Sequence, residues 1–141
     1  MNSTTKLILN RIFAILTGVV AGAIVMGLLE TLSNKLHPLP EGLDPINTEA
    51  LADHISSLPI TAFLLVLIAH ALGALTGGFV ASKMAKVEKK GTAMYTGLIL
   101  LLAGVLNLIA VPHPLWFSII DVIQFTPMAL LGNFIRKSIW P

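Results

Sequence analysis

Apolar positions in this chain fall in long unbroken runs, not in the short periodic pattern of a soluble helix or strand. Four runs of about twenty residues stand out, Ile12–Leu32, Ile60–Ala81, Thr92–Val111 and Leu115–Ile135. At about 1.5 Å per residue, each crosses a hydrocarbon layer about 30 Å thick. Backbone polar groups in lipid must be satisfied internally, so runs of this length read as helices. The expected fold is all-α, a polytopic antiparallel four-transmembrane-helix bundle in a single domain.

Turn chemistry marks the ends of the runs. Pro59 suits a first helical turn, where a missing N–H costs little. Gly91-Thr92 is expected to break and then cap the start of the third span. Pro112-His113-Pro114 leaves so short a connection that spans three and four must form an antiparallel hairpin. The long loop, residues 33–58, opens with a turning stretch, Leu36–Pro45, holding three prolines and a glycine. Asn47 or Thr48 can then cap a short helix over 49–57, with Leu51, Ile55 and Leu58 on one face. That face is expected on the bilayer surface or against the bundle.

Composition agrees with this picture. Of 141 residues, 55% are hydrophobic and 11% charged, too little polar surface for a soluble domain of this size. The absence of cysteine excludes disulfides, thiolate metal sites and Cys nucleophiles. The net charge of +2 does not point to nucleic acid, because the basic residues track the span ends. Lys6 and Arg11 precede span one, Lys83, Lys86, Lys89 and Lys90 separate spans two and three, and Arg136 and Lys137 follow span four. Four spans put these eight on one side, and the positive-inside rule makes that side cytoplasmic, with both termini. A bacterial inner membrane is the expected location. The Ala21-Gly22-Ala23 pattern after Lys6 and Arg11 also resembles a signal-peptide cleavage site, but apolar residues continue through Leu29, as in an uncleaved anchor.

Small residues recur at helical spacing. Gly18 and Gly22 in span one, Gly73 and Gly77 in span two, and Gly97 and Gly104 in span three offer faces on which backbones can approach closely. Polar groups share those faces. Glu30 follows Gly27 by three residues, His70 precedes Gly73 by three, and Asn107 follows Gly104 by three. In span four Asp121 is flanked at three residues by Ser118 and Gln124. Ionisable groups inside a membrane are costly and face the interior or a wet cavity. With His113 in the outer turn, these residues are expected to line one outward-facing pocket. Glu30 and Asn107 should sit about one turn deep, Asp121 less than two, and His70 about 15 Å from its helix end. The structural alternative is polar packing between helices. Pro127, mid-span, should kink span four. Trp116 and Trp140 read as interfacial anchors. His37-Pro38-Leu39 and His113-Pro114-Leu115 hint weakly at duplication.

No phosphate-binding loop, zinc-protease motif or nucleophile elbow occurs, and neither a cofactor nor a metal site is expected. The stretch Ala69-His70-Ala71-Leu72-Gly73-Ala74-Leu75-Thr76-Gly77-Gly78, with Pro112-His113-Pro114-Leu115-Trp116-Phe117 and Asp121, resembles a recurrent type of small bacterial four-span inner-membrane protein. The resemblance covers spans two to four and implies a fold without an activity. The expected function is a small-molecule or ion binding or transport-type module in membrane lipid, acting as a homo-oligomer or with a membrane-protein partner. A structural subunit of a membrane complex is the second reading. A small enzyme acting on lipid or quinone through Asp121 and His70 is the third.

Overall fold

A computed structural model describes residues 2–44 and 46–140. Pro45, one of the three prolines of the loop, lies outside the described residues. The described residues form five helices: α1 Ser3–Leu36, α2 Thr48–Ser57, α3 Ile60–Met84, α4 Lys89–Ala110 and α5 Leu115–Ile139. All but α2 are long and apolar enough to cross a membrane.

Helix α1 extends past its apolar run at both ends. Asn2 caps it, its Oδ1 accepting from the Thr5 backbone N–H at 2.8 Å. Its last turn carries the polar Ser33, Asn34 and Lys35. Helix α4 starts earlier than the Gly91-Thr92 break predicts. The break falls at Glu88, in the left-handed region with φ 51°. Thr92 does not cap, because its hydroxyl donates to the Glu88 carbonyl at 2.9 Å, inside the first turn. Pro127 lies within α5, which is helical throughout Leu115–Ile139.

Helix α3 is the centre of the fold. It packs on α1, α4 and α5, while α1 and α5 flank it without meeting. Glycines make the α1–α3 contact possible. A Cβ on Gly22 would come 2.7 Å from the Gly73 carbonyl oxygen, and one on Gly77 would come 2.9 Å from that of Gly18. Only two bare backbones fit this closely, and the contact is van der Waals packing, the main source of helix association in lipid. Gly97 and Gly104 of α4 instead make room for side chains of α5, the Ala129 methyl and the Phe125 ring. Gly78 and Gly132, outside the four-residue series, seat α3 and α5 on Ala129 and Leu75. Gly27, by contrast, has no neighbour where its Cβ would be.

The basic ends of the helices gather at one end of the molecule. Asn10 of α1 ties the turn after α3, donating to the Met84 carbonyl at 3.3 Å and accepting from the Lys86 N–H at 2.8 Å. The Lys83 ammonium lies 3.9 Å from the centre of the Trp140 ring, and the Arg11 guanidinium 5.2 Å from that of Tyr95. At the other end α2 packs its Leu51–Ile55–Leu58 face against the bundle, on Phe63, Leu67 and Phe117. Asn47 caps α2, accepting from the Ala50 N–H at 3.1 Å.

Candidate functional site

Three of the four long helices each bring one ionisable group to a common point. His70 projects from the centre of α3. Its Nδ1 lies 2.6 Å from Oδ1 of Asp121 on α5, and its Nε2 lies 2.8 Å from Oε1 of Glu30 on α1. The histidine and Asp121 are buried, whereas the Glu30 side chain is 40% exposed. Gln124 donates from Nε2 to the same Asp121 oxygen at 2.9 Å. Asp121 Oδ2 is buried and has no partner among the described residues. The Phe125 ring, centred 5.4 Å from that of His70, packs beside the imidazole.

The three groups therefore share one level, which the expected depths did not. The reason is the helix ends. Because α1 continues to Leu36, Glu30 lies about 9 Å below its end, not one turn. The helices also start at different heights, so equal depth does not mean equal residue count.

Valence decides what the arrangement can do. A neutral imidazole carries one N–H and ionised carboxylates carry none. Two hydrogen bonds, one at each ring nitrogen, need a second proton on the ring or on a carboxyl oxygen. In either form the cluster holds two shared protons and a net charge of −1. Imidazole can accept a proton at one nitrogen and release it from the other, so α3 offers a bridge between the carboxyls of α1 and α5. A metal ion needs its donors converging on one point, and here the carboxylates lie on opposite sides of the ring. Among the described residues no three such donors converge.

The residues expected to line a single pocket fall instead in separate cavities, with His113 apart from Glu30, His70 and Asn107. A recess of about 260 Å³ opens sideways between α1 and α4. Glu30, His70 and Asn107 supply its polar groups, and Met26, Leu100 and Phe125 its apolar ones. A smaller pocket of about 90 Å³ lies at the α2 end. His113 lines it together with Ser33, Asn34 and His37, beside Ile55 of α2 and Leu58 just after it. Asp121 and Gln124 line neither and sit behind His70. The His113 ring donates from Nδ1 to the Val111 carbonyl at 2.7 Å and stacks on Phe117 at 4.8 Å. Burial pushes His113 below its ordinary range, against the smaller opposite effect of that hydrogen bond.

Sequence reasoning missed Ser33, Asn34 and His37, although the signal was present. They follow Glu30 by three, four and seven residues, the spacing of one helical face. Ending the span at Leu32 concealed it. The two His-Pro-Leu segments also meet here, since His37 and His113 line the same pocket. Comparison with protein-family models, curated proteins and solved structures gives no match to this chain.

Proposed function

We propose that this chain is a membrane-embedded binding or transport-type module whose ion is the proton, held by Glu30, His70 and Asp121. One observation carries the reading: both ring nitrogens of a buried histidine are bonded to carboxyls from two other helices. A neutral buried imidazole is satisfied by one acceptor and one donor, whereas two ionised carboxylates supply acceptors only. Two carboxyls on one buried imidazole, one of them wholly buried and the other partly exposed, are costly to keep unless their protons are used.

The proposed setting is an antiparallel bundle in a bacterial inner membrane, with both termini cytoplasmic. The gathering of Lys and Arg at one end supports that orientation. Close glycine and alanine contacts fill the basic half of the bundle, so a complete pathway calls for a second copy or a membrane partner. The reading as an accessory subunit docking through its small-residue faces is weaker. Gly18, Gly22, Gly73 and Gly77 are used up within the chain.

The test is thermal stability of the detergent-purified protein across pH 5–8, wild type beside Asp121→Asn and His70→Ala. A pH-dependent shift in the wild type that both variants lose, leaving only the decline below about pH 6.5 that His113 contributes to all three proteins, supports a proton site. Equal loss of stability in the variants at every pH, with no change in pH profile, reduces the cluster to polar packing.

A further inference from the structure

We infer that the recess between α1 and α4 is a lateral binding site for a lipophilic cation, with the Glu30 carboxylate as its counter-ion. The inference rests on the proton-site reading and names the ligand class of the same cluster.

Three features of the recess point to that chemistry. Its mouth lies between two helices and runs from Leu100 in the middle of α4 to Asn107 in its last turn, so in a bilayer its deeper part faces acyl chains. Its walls are small and apolar: Ala23 and Gly27 on one side, Ala103 and Gly104 on the other. Among the described residues nothing packs where a Gly27 Cβ would stand, so the wall is shaped by absence of side chain with no helix contact to explain it. The polar groups present acceptors. Only Oε1 of Glu30 is engaged by His70 among the described residues, and the carboxyl is exposed on the recess side. Asn107 adds an amide at the rim. A site with apolar walls, a ring floor from Phe125 and one net negative charge is complementary to a positive centre carried on apolar groups. It suits a neutral lipid poorly, because the carboxylate would then be desolvated without compensation.

Charge balance links the ligand to the proton. The cluster carries −1 with two shared protons. A monovalent cation placed against Glu30 favours loss of one of them to water, leaving the occupied site at the same total charge. No covalent step is involved. The groups facing Glu30 are His70 from α3 and, beyond it, Asp121 from α5, while α4 contributes the uncharged Asn107. His113 lies beyond Asp121. Binding should therefore strengthen as pH rises and should expel up to one proton per cation.

The experiment is equilibrium binding of tetraphenylphosphonium to the purified chain in detergent at pH 6 and pH 8. Proton release into a weakly buffered solution is recorded in parallel. Variants are Glu30→Gln, which removes the charge, and Ala103→Phe, which fills the recess without touching the cluster. Leu106→Phe, on the exposed face of α4, is the control. The expected result is saturable binding, tighter at pH 8, with proton release, weakened at least tenfold by Glu30→Gln and by Ala103→Phe and unchanged in the control. No saturable binding, equal binding in all variants, equal binding of neutral triphenylphosphine oxide, or binding without proton release overturns the inference. If tetraphenylphosphonium fails while the pH-dependent stability shift persists, the ligand class is wrong and the proton site stands. If both are absent, both fall.

Discussion

Nδ1 of His70 and Oδ1 of Asp121 lie 2.6 Å apart in the buried interior, joining α3 to α5 across fifty-one positions of sequence. Asp121 is wholly buried, so its carboxyl has little help from solvent and depends on His70 and Gln124. Asp121→Asn keeps the shape and removes the carboxyl from one side of the imidazole. Breaking a buried ion pair by changing one partner costs about 3–5 kcal/mol in proteins generally. We expect Asp121→Asn to lower the melting temperature markedly at pH 7, and Glu30→Gln to lower it much less, because Glu30 is partly exposed. Thermal unfolding of both variants in the same detergent checks the order. The reverse order would mean that α1, not α5, anchors the histidine.

The α1–α3 seam gives a sharper steric prediction. A Cβ at Gly22 meets the Gly73 carbonyl oxygen at 2.7 Å, and that atom belongs to a backbone that cannot rotate away. Gly22→Ala and Gly77→Ala should each push α1 from α3 and cost about 1–3 kcal/mol, the usual range for overpacking. Gly27→Ala meets nothing and restores helix propensity, so it should be neutral or slightly stabilising. Unfolding in detergent of the three variants side by side separates steric loss from a general intolerance of Ala in α1.

Much of the fold is legible in the sequence for physical reasons. Four long apolar helices follow from length and hydropathy, since lipid leaves the backbone few alternatives. The spacing of Gly18, Gly22, Gly73 and Gly77 marks a close-contact stripe. It does not say which stripe meets which, because small residues carry no complementary shape. Gly132 was not legible as a contact: it stands alone in α5, and only the approach of Leu75 gives it a role. The break at Glu88 was hidden because a non-glycine residue takes the left-handed conformation there. For the candidate site, placing Glu30, His70 and Asp121 on inward faces follows from their neighbours. Their meeting at one level depends on where helices end, and α1 ends in a polar turn that hydropathy discards.

Helix α2 should be the most easily opened element. Close backbone approach is confined to the four long helices, and α2 is held by Leu51, Ile55 and Leu58 resting on Phe63, Leu67 and Phe117. Such elements open locally at little cost. Ile55→Ala should speed hydrogen exchange of 48–57 severalfold while leaving the α3 amides unchanged. Exchange mass spectrometry reads both. Parallel acceleration in α3 would show that α2 is part of the global folding unit.

His113 provides a pH prediction whose sign can be worked out. Its ring is partly buried against Phe117, and burial holds its pKa below the unfolded value of about 6.5. Above that value the ring is neutral folded and unfolded, and no penalty arises. As pH falls below about 6.5, the unfolded chain takes up a proton that the folded chain resists. The unfolded state then binds more protons, so stability falls with falling pH until the folded ring also protonates. His113→Phe removes this titration and keeps an aromatic ring beside Phe117, at the loss of the bond to the Val111 carbonyl. We expect a lower melting temperature than wild type at pH 8, where only the lost bond counts, and a shallower decline from pH 6.5 to 5. Glu30, His70 and Asp121 remain in both proteins, so the difference between the two pH profiles belongs to His113. Parallel profiles would show that this ring titrates no differently in the folded protein than in the unfolded chain.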